Sequence, residues 1–184
     1  MPRSRTHAHH LSLLILLSLL VMVPACKHGN KSKRDDPATG TAAAKTSEEK
    51  RLGRPGKGVV TFHPTGKTLR VQVEVVRTAD GLARGLMYRK QLPQLAGMLF
   101  IFPTTTIQTF WMKNTYIPLD MIFVDDATMK VVGVVENAEP MTTIQRSVDT
   151  ESRYVVEVNA GFAKRHGIKV GTPMRYEELD KGTR

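Results

Sequence analysis

The feature that most constrains how this chain can fold is FWMKNTYIPLDMIFVDD, residues 110–126, an apolar run with Lys113, Asn114 and Asp120 inside it. A β-strand sends successive side chains to opposite faces. From Leu119 onward, Leu119, Met121 and Phe123 therefore share one face, and Asp120 shares the other with Ile122 and Val124. A carboxylate among such neighbours needs a cation or several donors, because burying it alone costs several kcal/mol. Trp111, the single tryptophan, lies beside this polar knot.

The rest of the chain repeats the period-2 pattern. Leu69, Val71, Val73 and Val75 alternate with Arg70, Gln72, Glu74 and Val76, as a half-buried strand requires. Further strands are expected over 98–102, ended by Pro103, and over 109–114, 119–124, 130–136, 153–158 and 170–176. Thr78 suits the cap of a short helix over 79–84, with Gly85 as its exit. Asn159 suits the cap of a second over 161–166, ended by Gly167. Gly81 inside the first helix is a poor helix former. Six to seven short strands with two short helices imply a mainly β domain, a small β-sandwich or flattened barrel.

Three further blocks accompany the central one: RGLMYR at 84–89, GMLFIFP at 97–103 and VEVNAGFAKRHGIKVG at 156–171. In order and spacing they resemble the signature of the bacterial and archaeal family called domain of unknown function 192, over about residues 69–176. The resemblance implies a compact, mostly β fold and brings no established activity. The family usually carries an acidic residue at the place of Gly81.

The amino-terminal part reads differently. Arg3 and Arg5 precede an apolar run over 11–23, which as a helix spans only about 20 Å against roughly 30 Å of bilayer hydrocarbon. That pattern suits a signal peptide over 1–25. Cys26, the only cysteine, follows Ala25 as in a bacterial lipobox, so lipidation at Cys26 and attachment to a membrane are expected. Lys27 after it resembles outer-membrane sorting in a Gram-negative host. Residues 26–58 combine Lys, Thr, Ala, Gly and Ser with few aromatics, and read as a tether to a single domain over 59–184.

Net charge is +10, but residues 1–58 hold 11 Lys/Arg against 4 Asp/Glu, and 59–184 hold 16 against 13. The basic excess thus belongs mainly to the leader and tether, where it favours anionic lipid. No nucleic-acid partner is expected. His63 and His166 stand more than a hundred positions apart in the domain, with no cysteine nearby, so neither metal nor cofactor is expected. No nucleophile elbow or phosphate-binding glycine loop is present.

What remains is a polar constellation. Trp111, Lys113 and Asn114, with Arg84 and Arg89, are the candidate ligand-binding residues. Asp120, Glu157 and Asn159 form the candidate structural polar cluster, in which Arg84 or Arg89 would clip a helix to the sheet by pairing with Asp120. The reading that follows is an envelope protein, lipid-anchored on the periplasmic side, with a small β binding or scaffolding domain for a polar small molecule, a glycan or an envelope partner. The alternative is a metal-independent hydrolase or lyase using Asp120 or Glu157 with Arg84 and Lys113; these two carboxylates could also form a pair working across about 5 to 10 Å. A third possibility is a purely structural knot.

Overall fold

The computed structural model describes residues 55–180. The expected signal peptide, Cys26 and nearly all of the expected tether lie outside them. Seven strands and two short helices follow in the order β1 (Gly56–Phe62), β2 (Leu69–Val76), α1 (Ala79–Arg84), β3 (Ala96–Thr106), β4 (Leu119–Val124), β5 (Val131–Ala138), β6 (Ser152–Asn159), α2 (Phe162–His166) and β7 (Met174–Asp180). The domain is mainly β, as expected from its alternation. All seven strands join one mixed sheet, ordered β5-β4-β6-β3-β2-β1-β7. Only β2 and β3, joined through α1, run parallel; the other neighbours are antiparallel. The sheet does not close into a barrel. The segments leading into its two edge strands touch: Val131 donates to the Thr172 carbonyl at 2.9 Å, Gly171 to the Val131 carbonyl at 2.8 Å and Met174 to the Met129 carbonyl at 2.8 Å.

Alternation divides the buried side chains between two faces. Ile122 and Val124 of β4 and Val156 and Val158 of β6 pack with Val71, Val73, Leu99 and the α2 residues Phe162 and Ala163. On the opposite face Leu119, Met121, Phe123 and Val155 pack with Met98, Phe100, Leu86 and Met112. Apolar burial at about 25 cal/mol per Å² is what holds both layers on the sheet.

Several boundaries differ from the expected ones, each for a local reason. The sheet begins three residues earlier than the expected domain, with β1. A Cβ at Gly58 would lie 2.9 Å from the Glu177 carbonyl oxygen of β7, so glycine is needed where it also hides the strand pattern. β3 runs through Pro103 because the β3–β6 ladder breaks its register between Ile101 and Thr106, a place where a residue without N–H is tolerated. Residues 109–114 form no strand: Phe110 makes a single bridge to Arg146, and the chain then turns at Asn114 with φ 56°. β7 starts at Met174 instead of Val170, because Gly171 turns the chain with φ 86° first.

Candidate functional site

Thr78 caps α1 as its sequence suggested, its Oγ1 accepting from the Gly81 N–H at 3.1 Å. The helix lasts six residues and reverses at Gly85, with φ 47° and ψ −133°. A Cβ there would stand 3.1 Å from Phe100 Cζ and 3.7 Å from Glu157 Oε2, so this glycine satisfies both a backbone and a steric demand. The reversal brings residues 82–87 over the sheet face that carries Phe100 and Glu157. Between them lies a groove of about 340 Å³, whose other walls come from Phe102, Thr109, Phe110, Trp111, Thr115 and Gln145.

Aromatic rings set its shape. Phe110 meets Phe100 edge to face at 5.2 Å, Phe102 at 5.9 Å and Phe123 at 5.8 Å. Such perpendicular contacts are the favoured geometry for ring quadrupoles and hold the walls in place. Trp111, half exposed, lies at the rim with the Lys113 ammonium 5.7 Å from its ring centre.

Glu157 is the buried acidic group within the groove. Its position in β6 places it opposite Met98 of β3 and Met121 of β4, between two apolar neighbours. It is 4% exposed and, among the described residues, makes no hydrogen bond or ion pair. Burial pushes its carboxyl up to about 8, so the group is mainly a neutral acid at pH 7. Arg84, from the last turn of α1, lines the same groove.

The candidate residues thus separate. Trp111, Arg84 and Glu157 come together at the groove. Lys113 reaches only its rim through Trp111. Asn114 holds a turn: its side-chain amide donates to the Tyr88 hydroxyl at 2.8 Å, and its backbone carbonyl accepts the Tyr88 N–H at 2.8 Å. Arg89 forms a two-pronged pair with Glu74, both contacts 2.6 Å, outside the groove lining.

The expected pairing of Asp120 with Arg84 or Arg89 is corrected. Asp120 is fully buried, and its acceptors are filled by backbone donors: Asn137 N–H at 2.9 Å and Gly161 N–H at 3.0 Å on Oδ1, and Ala163 N–H at 2.9 Å on Oδ2. It thereby caps α2 from a neighbouring strand, in place of Asn159. The α2 N-cap is Gly161, without a side-chain cap of its own, and its first N–H groups need an outside acceptor. Asn159 donates instead to the carbonyls of Leu92 and Pro93, at 3.0 and 3.1 Å. Asp120 and Glu157 do not form the imagined working pair, because Asp120 faces α2 and Glu157 faces the groove on opposite sides of the sheet. Gly85, Leu86, Phe100 and Phe110 also line the groove, although only their places in the matching blocks or beside Trp111 signal them.

The DUF192 family model, described as "Uncharacterized ACR", matches residues 60–176. No curated protein matches the chain. Among solved structures, one from Sinorhizobium meliloti 1021, described as a "putative transcription regulator", is 35% identical with a TM-score of 0.64. The match covers 66% of this chain and 95% of that one. A second, a protein of unknown function from Novosphingobium aromaticivorans DSM 12444, is 36% identical with a TM-score of 0.61. That match covers 64% of this chain and 83% of that one.

Proposed function

Since the chain belongs to the DUF192 family, whose description carries no activity, we propose from its own groove that it binds a small molecule. The ligand's apolar body lies against the aromatic walls, and one polar group meets Glu157. The observation that carries this reading is a lone carboxyl, without a protein partner among the described residues, in a mostly apolar groove. Small-molecule sites are typically built this way, with apolar walls and a few placed polar groups. A titratable group shifted by burial in a cleft adds to the case. Export and lipid attachment at Cys26 belong to the same proposal, with the domain carried on the segment between Cys26 and β1. The described domain, with charges close to balanced, offers little electrostatic footprint for nucleic acid, whatever the description of the S. meliloti relative.

A second reading shares the observation. A carboxyl poised near neutrality suits proton exchange in a metal-independent hydrolase or lyase, with Arg84 beside a developing negative charge. Asp120 and Lys113 drop out of that scheme, one committed to α2 and one to the rim.

A thermal-shift screen of a metabolite library against the full chain tests both. A ligand at 100 times its Kd should add about 2.7 kcal/mol of stability, a shift of several degrees. The expected hits weaken in Glu157→Gln and Trp111→Ala and are recovered chemically unchanged. Consumed hits would favour the enzyme. Hits indifferent to both substitutions would overturn the groove as the site.

A further inference from the structure

Resting on the groove-binding reading, we infer that the polar group received by Glu157 is a cationic amine carried on an apolar, aromatic-sized body. Three observations converge. The carboxyl is buried between Met98 and Met121, with no donor among the described residues. An ammonium is the strongest complement such a group can receive, joining charge to hydrogen bonding where water is scarce. The walls beside it are the rings of Phe100, Phe110 and Trp111, whose faces attract cations. The chain already stations one amine on that surface, with the Lys113 ammonium 5.7 Å from the Trp111 ring centre.

The charges around Glu157 leave room for such a ligand. From β3 it meets Met98 and Phe100, and from β4 Met121; neither element turns a charge toward it. The segment 109–115 lines the groove with Thr109, Phe110, Trp111 and Thr115, and the segment before β6 adds Gln145. Arg84 of α1 is the other ionisable lining residue, and it has an interaction of its own. An anionic ligand would gain from Arg84 but would be repelled by Glu157 once that acid ionises.

Binding an ammonium requires the ionised carboxylate, so the acid must lose its proton as the amine enters. Burial holds that proton up to about pH 8 in the free protein. Apparent affinity is the intrinsic affinity scaled by the ionised fraction. It therefore rises about ninefold from pH 6 to 7 and about fivefold from pH 7 to 8, then levels off.

Calorimetric titration of the full chain in mild detergent tests this with three probes sharing one body: 2-phenylethylammonium, 2-phenylethanol and phenylacetate. The expected result is binding of the ammonium with that pH profile, and at least tenfold weaker binding of the alcohol and the anion. Repeating the titration in two buffers of different ionisation heat should show close to one proton released per ligand at pH 6, a measurement on the unaltered protein. Glu157→Gln should lower ammonium affinity at pH 8 at least tenfold and flatten its pH dependence, and also serves as the blank for detergent partitioning. Alcohol or phenylacetate binding as tightly as the ammonium, or ammonium binding without proton release, would overturn the amine while leaving the groove a binding site. Silence from all three probes would overturn the amine and the groove reading together.

Discussion

Replacing Asp120 with alanine removes the acceptor of three backbone N–H groups at once, and the structure sets how much each should cost. The Ala163 N–H is buried and has no water to turn to, so it loses a charge-assisted bond of about 1.5–3 kcal/mol. Gly161 is partly covered and loses part of that, whereas Asn137 is exposed and water replaces most of its bond. The sum is about 3–5 kcal/mol, a large share of the roughly 5–15 kcal/mol typical of a domain. Asp120→Asn should cost less, about 2–3 kcal/mol. Its carbonyl can keep the two Oδ1 bonds, while its amide meets the Ala163 N–H donor to donor. Urea unfolding measures both as midpoint shifts at unchanged slope, and amide exchange at Ala163 should quicken before the sheet amides do. A loss under about 1 kcal/mol for alanine, or equal losses for alanine and asparagine, would refute the assignment of Asp120 as the outside cap of α2.

Glu157→Gln should make stability less dependent on pH. The folded acid holds its proton to about 8 and the unfolded one to about 4.5, so wild-type stability is fully present below pH 4.5 and falls as pH rises toward 8. The slope is at most about 1.4 kcal/mol per pH unit. Urea midpoints from pH 4 to 9 should therefore draw wild type below the variant as pH rises, and parallel curves would count against burial of the carboxyl. Gly85→Ala should destabilise by about 1–3 kcal/mol, since alanine must adopt a positive φ and press on Phe100, and should weaken any groove ligand; an unchanged midpoint would remove the steric argument. A chain beginning at Pro55 should melt cooperatively, whereas one beginning at His63 lacks β1 and should not; equal melting would place the domain boundary elsewhere. Labelled palmitate should enter the wild-type chain and not Cys26→Ala, and label persisting in the variant would refute lipidation there.

The alternation in 119–124 was enough to place Asp120 inside, because strand facing is a local property. Its partners were not legible, since backbone N–H groups 17, 41 and 43 residues away carry no residue code. Arginine is the partner that side-chain chemistry suggests, yet Arg89 pairs with Glu74, which alternation places on the polar side of β2. Glu157 was visible as a charge between two valines. That it lines a groove depends on β6 lying between β4 and β3, a sheet order that no local pattern encodes. Lys113 and Asn114 drew attention through their polarity, much of which serves a left-handed turn and its Tyr88 contact. β1 escaped because glycine, required for close approach to β7, resembles the composition of a tether.

β1 has β2 on one side and β7 on the other, so the first strand of the described domain finishes its pairing only with the last. The partners Phe62 and Met174 stand more than a hundred residues apart, a loop whose closure must precede any gain from contact. Folding of such a chain cannot finish strand by strand as it emerges; it waits for the carboxyl end. Until then β1 exposes a row of unpaired N–H and C=O groups, the template on which edge-to-edge association starts. A ribosome stalled before Met174, or a protease that removes the final strand, should therefore yield an aggregating species in place of a slightly weaker domain. Under the export proposed above, a fold that completes only when β7 arrives would also keep premature folding from blocking passage.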